Sequence, residues 1–296
     1  MELAGDPMIS PTLFLQLLFN GVLLGGLYAL LGSGLSLCFG VMKFFNVLHG
    51  SLTLLSCYFT YSIFSLVGLD PLLTSLILIP AYFFLGFFLR RYLIGRLRTF
   101  DDILIVGFSL TIVLKNIVLF IWGARPRGVY TSYSMLAIGI IGDIRVPLIY
   151  LTCFTISLIG LISLHLILKK TFLGMAIRAV AQDPETASAF GVNPSLIKDL
   201  TFGISLSFIA LSGTLMSTIY NFDPSLEVLF LIKAISVVVL GGLGSVLGTL
   251  VGGVVLGLAE CFAGIAGAQY QAFVGAIIFL IIVLIKPKGL FGVYAE

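Results

Sequence analysis

Of the 296 residues, 59% belong to the set Ala, Val, Ile, Leu, Met, Phe, Trp, Tyr and Cys and only 10% are charged. With a mean hydropathy of +1.19, a chain of this length cannot present a water-facing surface, so most of that surface is solvated by lipid. The formal net charge of +3 comes from scattered Lys and Arg, which excludes the clustered basic footprint of a nucleic-acid binder.

The N-terminal Met1–Pro11 carries Glu2 and Asp6 but no Lys or Arg, so it lacks the basic start of a secretory signal and the first apolar run reads as a retained span. Apolar length between breakers predicts spans at Thr12–Cys38, His49–Leu66, Leu72–Leu89, Asp102–Trp122, Pro147–Ile167, Leu196–Tyr220 and Ala272–Ile285, each of the order that crosses a ~30 Å hydrocarbon core. Between the last two lies Leu226–Gly267, almost uninterrupted apolar sequence with a Gly-rich centre at Gly241–Ser245. It is too long for one crossing of ~20 residues. The four cysteines, Cys38, Cys57, Cys153 and Cys261, lie in apolar runs without metal-ligand spacing and read as small buried hydrophobes.

Cytoplasmic loops retain Lys and Arg. If the spans alternate, Lys43, Arg90, Arg91, Arg96, Arg98, Lys169, Lys170, Arg178, Lys198, Lys286 and Lys288 fall on one side, and Arg125, Arg127 and Arg145 on the other. That side is the cytoplasm, with the C-terminus in it and the N-terminus outside. Parity then requires Leu226–Gly267 to begin and end outside, as a hairpin of two spans or a re-entrant pair turning at Gly241–Ser245. The fold class is an all-α polytopic bundle of seven to nine spans in one domain, 1–296. One further crossing is added if Thr12–Phe45 crosses twice. Thr12–Ile167 and Leu196–Ile285 start on opposite sides, the arrangement of an inverted repeat, although their sequences share little.

The cytoplasmic loop 168–195 holds a short helix with its own start and stop. Asp183 is suited to the N-cap, Pro184 to the first helical position, Glu185 to the positive dipole end, and Gly191 supplies a left-handed stop about two turns later. Asn193-Pro194 then caps and starts the next span. Two turns are not stable alone in water. Either the helix packs on the ends of its own spans, or Ala187, Ala189 and Phe190 form a knob for a cleft on a cytoplasmic partner.

Several ordered stretches carry a resemblance. Arg178-Ala179-Val180-Ala181-Gln182-Asp183, Ala187 and Phe190-Gly191-Val192-Asn193 are followed by Val237–Ser245 and Gly257-Leu258-Ala259-Glu260. Near the start stand Gly26-Leu27-Tyr28-Ala29-Leu30 and Asn46-Val47-Leu48-His49-Gly50, and at the end Lys286–Gly292. Together they resemble the inner-membrane permease subunits of branched-chain amino acid ABC importers, the LivH type, over nearly the whole chain. The resemblance implies that Ala181, Gln182, Asp183, Pro184, Glu185, Thr186, Ala187, Ala189, Phe190 and Gly191 form a coupling helix docking on an ATPase subunit. It further implies two ATPase subunits that carry the ATP and Mg, a second identical or related permease, and an extracytoplasmic solute-binding protein.

Candidate pathway residues each have a plainer reading. Asn46, His49 and Gly50 open a span after a polar break, where capping competes with gating. Lys115 and Asn116 lie about thirteen residues into their span, roughly 20 Å along a helix. A lysine there is a pathway group or snorkels towards Trp122. The resemblance implies an uncharged residue more often at this point, so Lys115 departs from it. Gly241, Gly242, Gly244 and Ser245 form a turn that is tolerated at membrane depth only against protein or a water-filled cavity. Gly244, Gly248 and Gly252 share a helical face suited to close packing, and Gly253 and Gly257 a neighbouring one. Lys233 and Glu260 form a pair across this block only if their depths agree.

No G-x-x-x-x-G-K-[ST] loop is present, so the chain binds no ATP in that way and names no cofactor or metal of its own. Two rival readings remain: a stand-alone channel or a permease for urea, amides or aromatic acids, and an intramembrane enzyme. The latter needs convergent acidic, His or Ser side chains, and His49 and His165 have no obvious acidic intramembrane partner.

Overall fold

The computed structural model describes residues 10–97, 99–141, 144–286 and 289. Glu2, Asp6, Arg98, Lys288 and most of the Lys286–Gly292 pattern lie outside them. The chain forms α1 (Pro11–Met42), α2 (His49–Val67), α3 (Pro71–Tyr92) and α4 (Phe100–Trp122). A small hairpin, β1 (Ala137–Ile141) and β2 (Ile144–Pro147), leads to α5 (Leu148–Lys170). Then follow α6 (Phe172–Gln182), α7 (Pro184–Ala189), α8 (Pro194–Ile219), α9 (Leu226–Gly241), α10 (Val246–Ala263) and α11 (Ala268–Ile285).

Local chemistry explains where these helices begin. Ser10, Asp70, Asp183 and Asn193 each accept a backbone N–H from the first turn of the helix that follows, and each precedes a proline at its start. That pairing of cap and fixed φ pre-forms the first turn. Thr99 and Asp102 start α4 with a reciprocal capping box, and Gly68 and Gly123 end α2 and α4 at φ 72° and 76°.

α1, α2, α3, α4, α5, α8 and α10 are long and apolar enough to cross a membrane. α1 is one unbroken helix of 32 residues, so Thr12–Phe45 crosses once. Leu226–Gly267 folds as two helices, of which α10 is long and apolar enough to span and α9, at 16 residues, is shorter. An added Cβ at Gly21 of α1 would meet Leu258 at 2.8 Å, and one at Gly40 would meet Gly244 at 3.3 Å. α10 and the turn before it therefore follow α1 from Gly40 to Gly21, through most of the ~30 Å hydrocarbon thickness. Among the described residues, the shorter apolar helices α9 and α11 pack on α10 and on each other.

The bundle has two distinct ends. At one, the Arg90 guanidinium donates to the Ser195 carbonyl and hydroxyl at 2.9 Å and pairs with Asp199, tying the end of α3 to the start of α8. Gly40, Arg178, Ala181 and Gly244 gather there too. At the other end Arg127 exchanges backbone hydrogen bonds with Phe222, and Gln16 grips the backbone of Arg145 in the β-hairpin.

The first helix of each half packs most extensively on the third helix of the other: α1 along α10, and α8 along α3. Both partnerships rest on small residues. Cβ atoms at Gly25 and Gly253 would lie 2.5 Å and 2.4 Å from the facing backbone, and at Gly86 and Gly203 2.9 Å and 2.8 Å. α1 and α8 are consequently the core, with 89% and 78% of their apolar windows buried, against 6% for α4.

Two elements were not expected. The β-hairpin is too short to be stable by itself and is held by Gln16. α6 is amphipathic, with Gly174, Ala176, Ile177 and Val180 buried, a spacing legible in the sequence but read there as loop. One expectation is corrected: Gly244 precedes the Ser245 cap of α10 at φ 82°, so only Gly248 and Gly252 share the helical face, which packs on α9 through Gly241 and Val237.

Candidate functional site

At the basic end, α7 is six residues long. Asp183 caps it by accepting the N–H of Glu185 at 2.9 Å and of Thr186 at 3.2 Å, together with the Thr186 hydroxyl at 2.5 Å. These donors, the Thr186 hydroxyl foremost, hold its carboxyl below the usual carboxylate range. The cap therefore stays ionised at neutral pH. Gly191 closes the turn at φ 83°, and its N–H bonds to the Ser188 carbonyl at 3.0 Å.

The helix is two-faced. Ala187 is buried with Ala176, Ile177, Val180, Ile197 and Val41, a small apolar cluster that fixes α7 to α6, α8 and α1. Ala189 belongs to the opposite side with Gln182, Glu185 and Thr186, all exposed, and Phe190 is 84% exposed. Thus Ala187 anchors the helix, while Phe190 and Ala189 are left facing out; Ala181 and Pro184 are half-buried between them. The Gly241–Ser245 turn lies close by. Gly244 is against Gly40, and Gly241 is packed so tightly on Gly248 that a Cβ would come within 2.2 Å of its carbonyl. Gly242 takes φ 96° and Ser245 caps α10 through Gly248 N–H at 3.0 Å.

The remaining candidates gather deeper in the bundle. The His49 ring donates from Nε2 to the Leu31 carbonyl at 3.0 Å. Leu31 is eleven residues before the end of α1, so α2 starts about 16 Å inside that end, and Lys43–Leu48 climb back without helical structure. Asn46 and His49 are buried, and the Asn46 amide nitrogen and His49 Nδ1 have no protein partner. Non-helical backbone at this depth is found where protein or a cavity covers it. Gly50 lets α9 approach: a Cβ there would fall 2.0 Å from the Glu227 carbonyl.

Lys115 joins this group through a residue that sequence reading missed. Its Nζ lies 3.0 Å from the carboxylate of Glu227 in α9, whose other oxygen accepts from Ser51 at 2.9 Å. Anchored so, it does not snorkel. Asn116 instead turns outward, donating to the Ile112 carbonyl at 2.8 Å.

A second buried charge pair confirms the match of depths left open above. Lys233 Nζ lies 2.7 Å from Glu260 and donates to the Tyr28 hydroxyl at 2.6 Å. Tyr28 donates to Glu260 at 2.5 Å, so the hydrogen bond between the Tyr28 and Tyr220 hydroxyls has Tyr220 as donor. Four helices meet here: α1, α9, α10 and the end of α8. Tyr28 and Tyr220 carried no charge-pair signal in sequence; only convergence reveals them.

The comparisons agree with this architecture. Residues 17–285 match the family model described as branched-chain amino acid transport system, permease component. The high-affinity branched-chain amino acid transport system permease protein BraD of Pseudomonas aeruginosa is 28% identical, covering 94% of this chain and 96% of that one. LivH of Escherichia coli, of the same description, is 26% identical over 94% and 96%. The probable branched-chain amino acid transport permease LivH of Methanocaldococcus jannaschii is 22% identical over 94% and 92%. This polytopic helical chain, with its capped loop helix and paired intramembrane charges, belongs to the branched-chain amino acid transport permease family.

Proposed function

We propose that this chain is the transmembrane permease subunit of an ATP-binding-cassette importer, passing branched-chain or other amino acids across the inner (plasma) membrane. ATP and Mg are bound and used on two partner ATPase subunits. A second permease subunit completes the pathway, and an extracytoplasmic binding protein delivers solute. The basic end, with α7 and the C-terminus, is cytoplasmic. The names and coverage of its relatives support the solute class and the importer.

The observation that carries the coupling is the division of α7 into an anchored side at Ala187 and an outward Phe190. An exposed aromatic on a short helix pinned to α6 and to the spans α1 and α8 is suited to transmit a push. A partner can bias inward-open against outward-open states only by contacting them differently, and such a peg is the part able to report the difference. A stand-alone channel has no use for it.

Co-purification with co-expressed ATPase subunits tests this. Phe190→Asp and Glu185→Arg each weaken association at least about tenfold, as loss of an interface anchor does, and abolish solute-stimulated ATP hydrolysis. Undiminished association of both variants removes α7 from the coupling role.

A further inference from the structure

α4 is the least covered of the long helices, and its open side is not purely apolar. Ser109 and Asn116 are exposed there two turns apart, their hydrogens donated to carbonyls of the same helix, Ile105 and Ile112, each at 2.8 Å. Beside Asn116, the Lys115 side chain is 38% exposed, whereas its partner Glu227 is only 5% exposed. The cation is at the surface and the anion behind it.

The rest of that side, Ile112, Val113, Ile117 and Phe120 among it, is apolar and exposed, so the departure is local to Lys115. Lys115 is seven residues short of Trp122, about 10 Å from the end of the helix, and Glu227 holds its ammonium at that depth. An ionisable side chain part-exposed at membrane depth marks a functional contact by default. The carboxylate itself is pinned by Ser51, so it stays in place if the lysine turns to another partner.

We propose that Lys115 and Glu227 form a solute contact selective for zwitterions, the solute carboxylate taking Lys115 and its ammonium taking Glu227. This deepens, and rests on, the amino acid permease reading above. A neutral pair of fixed charges meeting a neutral pair of mobile ones gives attraction at each neighbouring contact. An anion meets Lys115 but is repelled by Glu227, and a cation the reverse, so singly charged solutes gain less. Because the pair is already satisfied without solute, entry exchanges one set of charge contacts for another and leaves no charge bare, which favours passage over trapping.

The complete transporter, reconstituted in vesicles with its binding protein and ATPase subunits and supplied with labelled L-leucine, tests the assignment. Lys115→Gln and Glu227→Gln each lower import by at least about tenfold, but either strands a charge. The double variant K115Q/E227Q decides, since it removes both charges at once. If the pair contacts solute, the double variant assembles with the ATPase subunits and still imports L-leucine at least about tenfold more slowly. Import restored to the parental rate makes the pair purely structural and overturns the proposal. Separately, Asn116→Cys is expected to react with a charged, membrane-impermeant thiol reagent and to be protected by L-leucine. Reaction only with a lipid-soluble reagent places this side in lipid and also overturns it. A parental complex that imports no L-leucine defeats the amino acid reading itself, whereas parental import with a fully active double variant defeats only this inference.

Discussion

Single residues in this protein matter most where charge is buried. Lys233 and Glu260 are 6% and 3% exposed in their side chains, and Glu260 Oε1 has no protein partner, so the pair depends on one short contact and the Tyr28 hydroxyl, which Tyr220 holds in turn. Removing one partner of such a pair costs about 3–5 kcal/mol, while replacing both with apolar groups is often neutral. Lys233→Met is therefore expected to lower the thermal midpoint in detergent sharply, and Lys233→Met/Glu260→Leu to recover most of the loss. Equal midpoints for the single and double variants would show that the pair bears no such burden. The sequence supplied the identities of Lys233 and Glu260 but not their meeting, because a 27-residue separation crosses a turn whose geometry sets their relative depth. Lys115 is the sharper case. Its cost was legible from its position in an apolar run, whereas Glu227, at the start of another helix, was not legible as its partner.

At the level of elements, the decisive contacts are backbone against backbone. The α1 to α10 seam brings Gly21 and Gly25 against Gly253 and Gly257, and a Cβ on Gly253 would stand 2.4 Å from the Gly25 carbonyl. Lipid gives helices no hydrophobic reason to associate, so this close approach and its van der Waals contact hold the seam. Gly253→Leu must move a backbone and is expected to cost at least about 1–3 kcal/mol. Gly139→Ala, where nothing lies within 4 Å, is expected to stay within about 0.5 kcal/mol. Similar midpoints for the two in a detergent melt would refute the seam's importance. Helix starts were readable because cap and proline act locally, as at Asp70-Pro71 and Asn193-Pro194. α6 shows the opposite failure: its apolar spacing was present, but an eleven-residue helix beside basic residues is stable only when docked.

For the whole molecule, the two ends defined by Arg90 with Asp199 and by Arg127 with Phe222 make sidedness testable. In spheroplasts, an impermeant thiol reagent is expected to label Leu136→Cys, 56% exposed near the β-hairpin, and to label Phe172→Cys, 80% exposed at the start of α6, only after permeabilisation. The reverse pattern would invert the molecule. Composition and span length by themselves determined that the chain lives in lipid, how often it crosses to within two spans, and which end gathers basic residues. These follow from the water-to-lipid cost of each segment taken alone. How α9 and α10 pack on α1, which charges pair, which side of α7 is anchored, and that α4 stays open were decided only by tertiary structure, because each depends on the depth and rotation of one helix relative to another, and those are set by packing between segments far apart in the chain.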